Sequence, residues 1–177
     1  MDMNEVAARG LVLLGCGKMG SAMLAGWLRN GLPPDSVWEI DPNPSAWLKE
    51  QGVSIGGDLP QNPAIAIIAV KPQMMASALP DVEMLGNGET LVISIAAGTP
   101  IKTFERVLGA QTPIIRAMPN TPAAIGRGIT ALIGNAKTSP DDMDLAEALL
   151  WSIGQTVRLD SEDQMDAVTA VSGSGPA

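Results

Sequence analysis

Leu11-Val12-Leu13-Leu14-Gly15-Cys16-Gly17-Lys18-Met19-Gly20 is an apolar run that passes through G-x-G-x-x-G into a segment of helical period. Each glycine has a separate task in such a turn: Gly15 permits the tight bend, Gly17 lets the backbone approach a pyrophosphate, and Gly20 lets helix and sheet pack closely. The first amides of the helix and the positive end of its dipole then face the phosphates. Glycine turns are common, so the context decides. A second apolar run, Val37 to Ile40, follows and ends at Asp41, roughly the twenty residues on at which the fingerprint expects an acid. The candidate cofactor-binding residues of the loop are Gly15, Cys16, Gly17, Lys18, Met19 and Gly20, with Asp41 beside them. Cys16 reads as a small filler facing the cofactor, because no general base is near it in sequence. Lys18 suits a phosphate or bulk water equally.

Asp41 would bond the adenosine ribose hydroxyls and repel the extra phosphate of NADP. The coenzyme is thus NADP(H) or NAD(H), with Asp41 tilting the choice toward NAD(H). Followed by Pro42, Asn43 and Pro44, the same aspartate also suits a turn that caps the next helix. Lys49 is the nearest base able to balance a phosphate.

Outward from this turn, short Val- and Ile-rich runs alternate with helix-period segments, the pattern of buried parallel strands joined by crossover helices. Strands are expected at Leu11 to Leu14, Val37 to Ile40, Ala64 to Val70, Thr90 to Ile95, Pro113 to Arg116, Ile129 to Ile133 and Gln155 to Leu159, with a weaker one at Val53 to Ile55. The last two in chain order are candidates for antiparallel addition. Met19, Ala22, Met23, Gly26 and Trp27 mark the first helix, stopped by Gly31, Pro33 and Pro34. A second helix is expected from Pro44 to before Gly52, and a third after Pro72. Thr99-Pro100 and Ser139-Pro140 open two more, since Ser or Thr caps orphan amides and Pro suits the first helical position. Ser161 with Gln164 reads as a capping box for a last helix through Met165, Val168 and Val171. The fold class is therefore α/β, a Rossmann-type doubly wound, mostly parallel sheet.

Bulk properties narrow the function. The chain has 177 residues, 46% of them hydrophobic, which suits one sizeable core and no second full domain. A net charge of -8 with scattered acids argues against a nucleic-acid partner, whose binding needs clustered Lys and Arg. No apolar run is long enough for a signal peptide or a membrane span, so the chain reads as cytoplasmic. With one cysteine and no histidine there is no disulfide framework and no metal site. The tryptophans and methionines read as core or interface, without a base-stacking platform.

Three further stretches are specific: Ala69-Val70-Lys71-Pro72-Gln73, Arg116-Ala117-Met118-Pro119-Asn120-Thr121-Pro122, and the terminal Ala167 to Ala177 with Ser172-Gly173-Ser174-Gly175-Pro176. In this order behind the glycine loop they closely resemble pyrroline-5-carboxylate reductases over nearly the whole chain. The resemblance implies reduction of 1-pyrroline-5-carboxylate to L-proline by hydride transfer from NAD(P)H. It implies cofactor contacts from Ala69, Val70, Lys71 and Pro72, and a homo-oligomer, at least a dimer, when full length. Residues 1–160 would form the dinucleotide-binding domain. Residues 161–177 would begin an all-α second domain whose remainder is truncated. Cofactor binding with little or no activity is the expectation for the chain alone.

Asn120, held between two prolines, is the first choice for a catalytic polar group and could also touch the nicotinamide; its alternative role is to stabilise its own turn. Ser172 and Ser174 are further catalytic candidates, as donors toward the imino acid, or small residues that let helices pack. Lys71 could equally be a solvated loop lysine. Ala97, in the small-residue stretch Ser94 to Gly98, allows close cofactor approach or simply tight packing. Hydride transfer to a protonated imine yields the amine directly, so the lack of histidine is no obstacle. Rival readings are another reductase with the same first domain, of the 6-phosphogluconate type or deazaflavin-dependent, and a non-catalytic dinucleotide-binding module that senses redox state.

Overall fold

A computed structural model of the chain describes residues 2–173. Strands β1 (Leu11–Leu14), β2 (Val37–Ile40), β3 (Ser54–Ile55), β4 (Ile65–Ile68), β5 (Leu91–Ser94), β6 (Ile114–Pro119), β7 (Gly128–Gly134) and β8 (Gly154–Arg158) form one sheet in the order β3-β2-β1-β4-β5-β6-β7-β8. The first six pair in parallel, β7 is antiparallel to β6, and β8 is parallel to β7. The order 3-2-1-4-5-6 is that of doubly wound dinucleotide-binding sheets. Both late strands therefore run against the first six, as the sequence allowed.

Every residue of β1, β4 and β5 is buried, because helices cover both faces of the sheet centre. Alternation along β1 divides the core. Leu11 and Leu13 join Met23, Leu24, Trp27 and Leu149 on one face; Val12 and Leu14 join Ile68, Leu79, Phe104 and Leu108 on the other. Helices α2 (Lys18–Arg29) and α6 (Pro140–Leu150) cover the first face and are tied together where Trp27 Nε1 donates to the Leu149 carbonyl at 2.9 Å. Helix α5 (Ile101–Leu108) covers the second face, presenting Ile101, Phe104 and Leu108.

Several expected details change. Helix α1 (Met3–Arg9) was not foreseen; Asp2 caps it by accepting from the amides of Asn4 and Glu5, and Glu5 pairs with Arg9 one turn on. The second helix shortens to α3 (Ala46–Lys49), capped by Ser45. The expected third helix is irregular: a 3-10 turn at Pro72–Met74, a single turn α4 (Met75–Ala78), then 3-10 structure over Leu79–Leu85. Pro80 supplies no amide for a helical ladder, which breaks the regular helix there. Ser139 caps α6 as expected, and Asp142 returns the bond to complete a capping box that was not foreseen. Thr99, by contrast, does not cap α5; the cap position is Pro100, without a side-chain bond of its own. Before α7 (Asp163–Gly173), Gln164 accepts from the amides of Asp160 and Ser161, so the glutamine half of the expected box is present.

Candidate dinucleotide-binding site

Parallel strands end on a common edge, and here that edge collects most of the residues singled out from the sequence. Asp41, Gly15, Ala69, Ile95 and Asn120 directly follow β2, β1, β4, β5 and β6. At the usual strand spacing this row spans about 19 Å. The chain leaves β1 toward β2 on one side while β4 lies on the other, which opens a crevice beside Gly15.

The glycines occupy three different environments. Gly15 has φ of 87°, and a Cβ there would come within 2.8 Å of Val70 Cγ1. At Gly20 a Cβ would meet the Gly15 carbonyl oxygen at 2.8 Å, with the Ala69 methyl just beyond at 3.6 Å. Gly17, the N-cap of α2, faces open space, with nothing within 4 Å of a Cβ. Two positions are thus closed by packing and one is open to a ligand, which is the division of labour a pyrophosphate cradle requires. Lys18 is exposed at the start of α2, and Met19 is half-buried against the core.

Asp41 grips the loop from the end of β2. Its Oδ2 accepts from the Cys16 amide at 3.2 Å and its Oδ1 from the Asn43 amide at 2.8 Å. The turn-forming role is therefore real, and the tether to the glycine loop comes with it. Cys16 is buried with its Sγ 3.4 Å from Ser21 Oγ, and burial pushes its thiol pKa up, away from the reactive thiolate.

Beyond β4, the Ala69 amide donates to the Leu14 carbonyl at 2.8 Å, Val70 packs on Gly15, and Lys71 and Pro72 are exposed as the chain turns away. Ala97 is exposed at the end of β5 beside Gly98, whose φ is 68°. Asn120 Oδ1 accepts from the Ile129 amide at 2.9 Å, closing the loop between β6 and β7. Its turn-stabilising role is thus present. The Ser172 side chain and Ser174 lie outside the described residues. An open cleft of about 600 Å³, lined by Pro72, Met75, Gly98, Thr99 and Arg106 among others, lies next to this edge rather than over the glycine loop.

Two buried charged groups were not among the candidate site residues read from the sequence. Glu39 on β2 is fully buried, and among the described residues neither carboxylate oxygen has a hydrogen-bond partner. Burial, aided by the nearby Asp41 charge, pushes its pKa up to about 7. A glutamate inside the apolar run Val37 to Ile40 was the available signal. Arg116 on β6 is buried, and its Nη1 donates to Glu162 Oε1 at 3.0 Å. The same oxygen accepts from the Ile101 amide at 2.8 Å, so Glu162 supplies the cap that Thr99 does not. Among the described residues no group of His, Cys, Asp and Glu could hold a metal ion, and no helix is long and apolar enough to cross a membrane.

Comparison with known proteins agrees with this geometry. Pyrroline-5-carboxylate reductase of Pseudomonas aeruginosa is 35% identical over 94% of this chain and 63% of its own length. The solved pyrroline-5-carboxylate reductase of Coxiella burnetii superposes with a TM-score of 0.87 at 31% identity, over 95% of this chain and 65% of the other. That of Plasmodium falciparum, solved with NADP bound, gives 0.80 at 27% identity over 94% and 63%. The chain thus spans just under two thirds of the length of these relatives. The family described as "NADP oxidoreductase coenzyme F420-dependent" matches residues 10–98, from the strand before the glycine loop to the turn after β5. That match covers half of the 177 residues, and this protein belongs to that oxidoreductase family.

Proposed function

We propose that this chain is the coenzyme-binding part of a pyrroline-5-carboxylate reductase, in which residues 1–160 bind NAD(P)H and residues 161–177 begin the domain that holds the cyclic imine. The observation that carries the reading is the open backbone at Gly17 between two closed glycines, at the crevice of a sheet whose relatives include an NADP-bound reductase. In this reading the α2 amides and Lys18 take the diphosphate. Asp41 takes the adenosine ribose, favouring NAD(H), and Ala69 to Pro72 with Ala97 line the path to the nicotinamide.

When bound, the dihydronicotinamide supplies the hydride. Protonated pyrroline-5-carboxylate would accept that hydride at its imine carbon, with the C=N π pair moving to nitrogen. Nitrogen keeps its proton, so no side chain has to act as a base. Asn120 Nδ2 would orient the carboxamide or the substrate, with Oδ1 accepting from the Ile129 amide. Ser172 and Ser174 would donate to the imino acid. The whole enzyme is a cytoplasmic homo-oligomer, at least a dimer, in proline biosynthesis.

Two measurements test this. Titration with NADH and NADPH should quench tryptophan fluorescence and raise the melting temperature of the chain; no change with either removes the reading. The chain extended with the remaining third of a relative such as the Pseudomonas aeruginosa reductase should reduce pyrroline-5-carboxylate, and the chain alone should do so weakly or not at all. The family description favours one second reading, in which the hydride passes between NADP and coenzyme F420; turnover with F420 in place of pyrroline-5-carboxylate would establish it.

A further inference from the structure

Glu39 is a buried charged side chain beside the proposed coenzyme site that the proposed chemistry leaves unused. It sits two residues before Asp41, and along a strand such a spacing places side chains on one face, about 7 Å apart. Asp41 reaches from there to the Cys16 amide of the glycine loop, and the charge of Glu39 is felt at the Cys16 thiol as well. Glu39 therefore lies beneath the corner where the loop meets the end of β2. Its paired positions on the neighbouring strands are apolar, Leu13 on β1 and Ile55 on β3. The titratable groups around it are Asp41 on its own strand and Cys16 in the loop, and no lysine or arginine draws its carboxyl down.

We propose that Glu39 is a second acidic determinant of coenzyme choice, adding to Asp41 in repelling a 2′-phosphate and doing so only when ionised. This rests on the dinucleotide reading above. A buried charge acts through a medium that screens it poorly, so it is felt at the ribose pocket although it touches no ligand. Because burial places its ionisation near pH 7, the discrimination has a pH dependence that Asp41 alone would not give. Glu39 is a specificity residue that acts through the field, not by contact.

The test is the ratio of NADPH to NADH dissociation constants between pH 6 and 8. In the wild type the ratio should rise about threefold more than in Glu39→Gln, whose neutral amide mimics the protonated acid. The 2′-phosphate itself titrates near pH 6, and the variant reads that contribution alone. An equal rise in both proteins overturns the proposal. A second readout needs no variant: with glutamate carboxyl carbons labelled, the resonance that titrates near pH 7 should move to higher pH with NADH and further with NADPH. Equal displacement by the two coenzymes overturns it too. If neither coenzyme binds, the dinucleotide reading itself falls, an outcome distinct from binding without the pH-dependent ratio.

Discussion

Strands β2 and β6 each bury a charged residue, and they do so in opposite ways. At β6 the polar atoms are committed: Arg116 to Glu162, Glu162 also to the Ile101 amide, and Asn120 to the Ile129 amide. At β2 Glu39 has no partner among the described residues, and Gly17 nearby, the N-cap of α2, faces open space. The difference follows from proton chemistry. A guanidinium cannot shed its proton and must be paired when buried, whereas a carboxylic acid can become neutral. The β6 corner is therefore built for stability, tying α5 and the start of α7 to the sheet. The β2 corner keeps unsatisfied polarity where a ligand is expected.

The largest effect should come from breaking the committed corner. Glu162→Ala leaves the buried guanidinium with only the exposed Asp166, 3.9 Å from its Nη2, and leaves the α5 amide uncapped. It should lower the unfolding free energy by about 3 kcal/mol in urea titrations, at the lower end for buried pairs because Glu162 is one-third exposed. Coenzyme affinity should hardly change. Replacing both partners, Arg116→Met with Glu162→Leu, should restore most of the loss.

Glu39→Gln should act in the opposite direction. The folded-state pKa of Glu39, about 7, lies above its ordinary 4.5. Between those values the folded protein holds a proton that the unfolded chain has released, so wild-type stability falls as pH rises from 4.5 to 7 and stays low above that. The cost at pH 8 is about 3 kcal/mol. Thermal melts from pH 5 to pH 8 should show this decline in the wild type and a nearly flat profile in the variant. A decline of the same size in the variant would place its cause elsewhere.

Two glycine variants sharpen the contrast inside the open corner. Gly20→Ala must move the Gly15 carbonyl aside, and should cost about 2 kcal/mol of stability along with coenzyme binding. Gly17→Ala meets nothing in the protein, and its stability should stay within about 0.5 kcal/mol of wild type. Its coenzyme affinity should nevertheless fall at least tenfold in fluorescence titrations, because the added methyl occupies the space of the diphosphate. The smallest effect belongs to Asn120→Ala, which removes one loop hydrogen bond worth about 1 kcal/mol. If that residue only closes its loop, turnover of the enzyme with both domains will be unchanged. If Nδ2 orients the reacting groups, kcat will drop with the coenzyme dissociation constant preserved.

The sequence by itself determined the alternation of buried strands and helices, the glycine loop, the acid after the second strand and the Ser139 cap of α6. Each is a local signal: periodicity of apolar residues, backbone freedom at glycine, and hydrogen bonds between residues a few positions apart. Even the unexpected α1 left such a signal, since Asp2 and Glu5 precede Val6 at capping distance. What the tertiary structure alone decided involves partners far apart in the chain. Glu162 caps a helix 61 residues earlier in sequence, and Trp27 bonds a carbonyl 122 residues later. The region after Pro72, where a helix was expected, breaks into 3-10 turns around Pro80. Whether a charged residue is paired or alone depends on which elements pack against it, and that is set by the whole sheet rather than by its neighbours in sequence. Arg116 and Glu39 look alike as single charges in apolar strands, and only the fold separates the paired one from the solitary one.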